Sequence, residues 1–239
     1  MRPRFVGRLG VADVVTIGNA VLGFLAVVFA FVDVRLAARL VLLAAVLDGL
    51  DGVLARRYGG TAAGPYLDSL ADVASFAVAP ATLAYVVLTR GFDVSQASPS
   101  VELAGIAVVC ATFVAMAVAR LGLYTAYDTT SECTEGVQTT LAATILGAAI
   151  LAGVDEPAVV LGLTVAFSYL MVSTIRYPEL LARDALLMGV VHVLAVAIPS
   201  FAGRTFPYGL LTLGVAYLVF GPWLYWRGGA FAARVYGNA

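Results

Sequence analysis

The chain contains no lysine, a single histidine (His192) and two cysteines, and only 12% of its 239 residues are charged. All 14 basic residues are therefore arginine and the net charge is −1, which leaves no basic surface suited to a nucleic-acid backbone. Cys110 and Cys133 show no CxxC spacing, so they read as free thiols, one inside a span and one in a cytoplasmic loop, and not as a disulfide or zinc framework. Charge is too scarce for a soluble globular chain, in which about a quarter of residues are charged. Internal repeats, low-complexity tracts and lipidation signals are also missing.

What remains is apolar: 62% of residues, with a mean hydropathy of +0.96. The predicted fold class is all-α, a polytopic membrane bundle forming one domain over 1–239. Turn signals divide it into about eight transmembrane helices: 11–32, 36–57, 65–89, 101–124, 137–153, 157–176, 182–201 and 207–226. Gly153 to Pro157 separates the fifth from the sixth, with Pro157 suited to a first helical turn. The first apolar run reads as a retained helix, without a small-residue cleavage site. Arg2, Arg4, Arg8, Arg56, Arg57, Arg120, Arg176, Arg183, Arg227 and Arg234 fall at one set of span ends, and Arg35, Arg39, Arg90 and Arg204 at the other. The positive-inside rule then predicts both termini, and the site described next, on the cytoplasmic side of the cell membrane.

Four acids stand out against this background. Asp48 and Asp51 close the second span, and Asp68 and Asp72 open the third. Spacings of three and four place each pair on one helix face, and the short Gly-containing turn between the spans forces the two helices to lie antiparallel. At a rise of about 1.5 Å per residue the four carboxylates share a depth. A charge at bilayer depth costs roughly 2.5 to 3.5 kcal/mol, so four acids need a compensating cation. Carboxylate oxygens without histidine or cysteine suit Mg²⁺, Mn²⁺ or Ca²⁺. Two such ions would clamp an in-line displacement at phosphorus. Gly52 and Gly64 leave backbone bare for a nucleotide or for another helix, and Arg56 offers a planar fork to phosphate. The rival reading is an ion-coupled transporter, which usually spreads its ionisable residues through the membrane depth.

The stretch Asp48 to Asp72 reads D-x-x-D-G-x-x-A-R, seven residues, then G-x-x-x-D-x-x-x-D. It resembles the signature of the CDP-alcohol phosphatidyltransferases, integral membrane enzymes that exchange CMP for an alcohol on a CDP-linked lipid. All eight fixed positions over these 25 residues are present. The resemblance implies that Asp48, Asp51, Asp68 and Asp72 are metal ligands, with Asp72 also the catalytic base, and that Gly52, Arg56 and Thr61 contact the CDP group. Thr16-Ile17-Gly18-Asn19 with Gly23-Phe24, and the run Leu67 to Phe76 followed by Val78-Ala79-Pro80, are similar to the phosphatidylserine and archaetidylserine synthase branch. That branch implies a CDP-diacylglycerol or CDP-archaeol donor and L-serine as acceptor, with glycerol 3-phosphate or inositol (phosphate) as alternatives. A homodimer would suit the family, and the lysine-free composition is similar to that of haloarchaeal members. Two stretches depart from the branch: Arg120-Leu121-Gly122-Leu123-Tyr124 keeps only the first arginine of R-L-A-R-F, and Gly136-Val137-Gln138 replaces G-L-P.

Other residues carry two readings. Asn19 is either a nucleotide contact or a polar contact between helices. Arg120 either meets a substrate phosphate or carboxylate, or snorkels to the interface. His192 reads as a packed histidine, and Tyr208, Trp223, Tyr225 and Trp226 as interfacial anchors. Arg176, Glu179, Arg183 and Asp184 read as a solvated loop around Pro178, from which Arg176 could reach substrate.

Overall fold

The computed structural model describes residues 7–128, 133–178 and 182–224. Arg2, Arg4, Glu179, Tyr225, Trp226, Arg227 and Arg234 lie outside the described residues, as do the side chains of Cys133 and Arg183. Helices α1 (Val11–Ala30) and α2 (Val34–Tyr58) precede α3 (Gly64–Asp72), which continues through a π-helical segment, Val73–Val78, into α4 (Ala79–Gly91). Then follow α5 (Val101–Leu123), β1 (Cys133–Glu135), α6 (Thr139–Ala152), α7 (Pro157–Leu170), β2 (Arg176–Pro178), α8 (Ala182–Ala197) and α9 (Thr205–Leu224). With α3 and α4 joined, the helices fall where the sequence places its spans. Four stretches are long and apolar enough to cross a membrane: Val11–Ala30, Gly64–Gly91, Val101–Tyr127 and Phe201–Trp223. α6, α7 and α8 have 14, 14 and 16 residues, fewer than the roughly 20 that cross a bilayer squarely.

Helix α1 shows why the molecule belongs in lipid. Its exposed stripe is Val11, Val14, Ile17, Val21, Phe24 and Val28, whereas its buried stripe holds Asp13, Thr16, Asn19 and Gly23. Polar and small groups face inward and branched apolar ones outward, the reverse of a surface helix in water. At the centre lies α6, in which every residue except Thr140 is buried. It touches α2, α4, α5, α7 and α9.

Three of the four arginines at the end of the bundle away from the hairpin turn have local work. Arg39 Nε donates to Val196 O at 2.8 Å, Arg90 Nη2 to Phe31 O at 2.5 Å and Arg204 Nη1 to Ala152 O at 3.0 Å. Each satisfies a carbonyl at the C-terminal end of a helix, where the last turn has no backbone donors and a cation meets the negative end of the macrodipole.

The loops expected around Cys133 and Pro178 are corrected by the structure: β1 and β2 pair antiparallel, Thr134 opposite Tyr177. The sixth span accordingly ends at Leu170, six residues early. Its remaining backbone is used by the ribbon, with Val137 N donating to Leu170 O at 3.0 Å and Gly136 N to Ile175 O at 2.8 Å. Gly136 keeps the glycine of the G-L-P pattern because its φ is +76°. Gln138, at φ −63°, is the N-cap of α6 and occupies backbone that proline would also accept. Arg176 lies in this ribbon and pairs with Glu135 at 3.1 Å.

Candidate active site

α2 ends at Gly59, whose φ of +89° breaks the helix. Thr61 Oγ1 then accepts the Gly64 N–H at 3.1 Å and starts α3, with Pro65 in the first turn. This tight reversal brings Asp48, Asp68 and Asp72 together, with one oxygen from each inside a 4.8 Å cluster. Asp72 is buried. Asp51 is buried too, but its Oδ2 accepts a 2.5 Å hydrogen bond from Thr16 Oγ1, while its charge still acts on Asp48 and Asp68. The structure therefore groups three of the four acids and seats the fourth beside them against α1.

Helix α1 touches each part of the hairpin. Asp13 accepts from Thr61 Oγ1 at 2.8 Å, Thr16 binds Asp51, and Asn19 Nδ2 reaches Asp72 Oδ1 at 3.4 Å. These residues sit at i, i+3 and i+6, close enough in angle to share one side of the helix. Asn19 is fully buried and its Oδ1 has no hydrogen-bond partner among the described residues. One turn further, Ser75 Oγ donates to Asn19 O at 2.8 Å, and the π-helical segment presses on Gly23, where a β-carbon would come within 2.8 Å of Ala74 C and Ser75 Cα. The π segment directly follows Asp72, a placement common for such segments at functional sites. Asp13 escaped the sequence reading. Its signal was a buried-type acid one turn before Thr16 in an otherwise apolar helix.

Gly64 faces Asp13, with Oδ1 3.4 Å from where a β-carbon would stand. Gly52 has only its own helix neighbour Arg56 within reach, at 3.5 Å. Arg56 lines an apolar cavity of about 830 Å³ between α2, α6, α8 and α9, together with Gly49, Thr140 and His192. The Thr140 hydroxyl also acts on the Asp48 carboxyl, so the cavity adjoins the carboxylates. His192 is packed as expected: Nδ1 lies 3.2 Å from Met188 O and Nε2 3.2 Å from Thr144 Oγ1. A carbonyl only accepts, so Nδ1 carries the proton and the threonine donates to Nε2.

On the opposite flank Arg120 is 7% exposed, so it does not snorkel. Its Nη2 donates to Thr134 Oγ1 at 3.0 Å, its guanidinium lies 4.8 Å from the Tyr124 ring centroid, and its charge acts on Asp72. Thr134 belongs to β1, so the ribbon that the sequence did not reveal holds this arginine in place.

The donor set is carboxylate oxygen with the unpartnered amide oxygen of Asn19 beside it, which suits a hard divalent cation and not zinc. Fold and site together define a helical membrane protein with an acidic hairpin that can hold a metal ion. The sequence matches the CDP-alcohol phosphatidyltransferase family over residues 9–198, and the chain belongs to that family. It is 28% identical over 176 residues to archaetidylserine synthase of Methanothermobacter thermautotrophicus, an alignment covering 72% of this chain and 70% of that protein.

Proposed function

We propose that the protein transfers the phosphatidyl-type group of a CDP-activated lipid, CDP-archaeol or CDP-diacylglycerol, to the hydroxyl of L-serine and releases CMP. Asp48, Asp51, Asp68 and Asp72 would hold two divalent cations, Mg²⁺ or Mn²⁺, which when bound neutralise the pyrophosphate charge that grows as CMP leaves. Gly52, Arg56, Thr61, Gly64 and Asn19 line the CDP group. Asp72 accepts the serine hydroxyl proton, the serine oxygen forms its bond to the lipid-bearing phosphorus, and the phosphorus–oxygen bond to CMP breaks. Arg120, held by Thr134, pairs with the serine carboxylate. The lipid portion of the donor extends into the apolar cavity beside Arg56.

The observation that carries this reading is the convergence of Asp48, Asp68 and Asp72 within 4.8 Å, with the charge of a buried arginine acting on the proposed base. Serine is favoured over a phosphorylated alcohol by the similarity to archaetidylserine synthase and by a shortage of cations. Of Arg57, Arg120 and Arg176, Arg176 is engaged with Glu135 and Arg57 lies 5.6 Å from the Tyr58 ring centroid, while the charge of Arg120 acts on Asp72. The ten arginines that the sequence assigns to the hairpin's set of span ends support a cytoplasmic active site and cytoplasmic termini. The chain is proposed as a single domain of about eight spans, working alone or as a homodimer. The test is CMP release by purified protein with either CDP-lipid and serine, glycerol 3-phosphate, inositol or inositol phosphate, in Mn²⁺ or Mg²⁺. Serine-dependent CMP release is expected. Release with another acceptor would replace serine, and release with none would end the proposal.

A further inference from the structure

Among the described residues, Asp13 is the buried acid that the proposed chemistry leaves unused. It is 2% exposed, lies in the first turn of α1 and collects two hydrogen bonds on one oxygen: from Gly10 N at 2.7 Å and from Thr61 Oγ1 at 2.8 Å. The first bond ties the carboxylate to the N-cap of its own helix. The second fixes the hydroxyl whose oxygen accepts the Gly64 N–H, and Gly64 is the first residue of α3. Asp68 and Asp72 follow four and eight residues later on that same rigid helix. Three residues along α1, Thr16 grips Asp51 on α2. One helix thus holds both halves of the carboxylate cluster, and the link from Asp13 through Thr61 to Gly64 sets where α3 begins.

We propose that Asp13 is a positioning residue, which acts through Thr61 to fix α3 and thereby the spacing of Asp68 and Asp72 against Asp48 and Asp51. The inference rests on the reading of those four acids as a cation site. It requires hydrogen-bond acceptance at Asp13 rather than its charge, although Asp13 is near enough to Asp51 for the charge to be felt there. An amide oxygen accepts the same two bonds, so Asp13→Asn and Asp13→Ala separate the two effects. Groups that orient metal ligands typically cost about 10- to 100-fold in affinity or activity when removed.

The experiment measures Mn²⁺ affinity of the purified full chain by the electron paramagnetic resonance signal of free Mn²⁺, without lipid substrate, alongside kcat and KM for CMP release. Asp13→Ala and Thr61→Val should each weaken Mn²⁺ binding by about 10- to 100-fold and lower kcat. In lipid-free Mn²⁺ affinity, Asp13→Asn and Thr61→Ser should stay far closer to wild type, and the Asp13→Ala/Thr61→Val pair should be no worse than the worse single variant, because the two act through one link. Should Asp13→Ala fail to fold, Thr61→Val against Thr61→Ser carries the same comparison. The proposal is overturned if Asp13→Asn is as damaging as Asp13→Ala, if the double variant is additive, or if Asp13→Ala lowers only the unfolding temperature. Absence of CMP release from the wild type with any acceptor would refute the transferase reading, while the Mn²⁺ series would still decide the role of Asp13.

Discussion

Replacing Gly23 by alanine tests how α1 is registered against the acidic hairpin. The added β-carbon would stand 2.5 Å from Ser75 Oγ and 2.8 Å from Ala74 C and Ser75 Cα, whereas ordinary contact begins at 3.4 Å. Relief of the two backbone contacts needs a separation of 0.6 Å (3.4 − 2.8), and of the hydroxyl contact 0.9 Å (3.4 − 2.5). Overpacking of this kind costs about 1 to 3 kcal/mol. The same displacement lengthens the Asn19 to Asp72 contact, already 3.4 Å, beyond hydrogen-bonding range. A misplacement of about 1 Å at a reacting centre can lower turnover by about 100-fold, so a loss of about 10- to 100-fold in kcat is expected. The assay is CMP release with a CDP-lipid and serine, paired with thermal unfolding in the same detergent. Ser75→Ala on the Gly23→Ala background should recover little, because it removes the hydroxyl and leaves the backbone atoms in place. Wild-type turnover and unfolding temperature in Gly23→Ala, or full recovery with Ser75→Ala, would refute the reasoning.

Asp72→Asn should abolish CMP release while CDP-lipid binding, followed by isothermal titration in detergent, is largely kept; a variant that still turns over would remove Asp72 as the base. Thr134→Val removes the 3.0 Å hydrogen bond to Arg120, and should raise the KM for serine with little change in the KM for CDP-lipid, as steady-state assays with each substrate varied would show. Stripping divalent ions with a chelator should stop CMP release, and adding back Mn²⁺ or Mg²⁺ should restore it. Arg176→Ala breaks a pair whose side chains are 55% and 49% exposed, so stability should change by no more than about 1 kcal/mol in thermal unfolding and turnover should be retained.

The acidic hairpin could be read directly from the chain because its geometry is local. Spacings of three and four residues fix which carboxylates share a helix face, and a turn of a few residues leaves two helices no arrangement except side by side. Composition likewise dictated a helical membrane protein, since so apolar a chain has no other solvent in which its exposed stripe on α1 is stable. The contacts of α1 were a different matter. Asp13 with Thr61, Thr16 with Asp51 and Asn19 with Asp72 join positions 35 to 53 residues apart, and which side chain meets which depends on the axial register of packed helices. The ribbon of Thr134 and Tyr177 was equally hidden, because two three-residue strands carry almost no periodicity and become stable only when α5, α6 and α7 bring them together. Local spacing thus specified the acids that can hold a cation, and tertiary packing decided that Asp51 turns to Thr16 and that Arg120 is buried against Thr134 and Tyr124. The physical reason is that a helix fixes angles among its own residues, while distances between helices are set by the small side chains, such as Gly23, that let them approach.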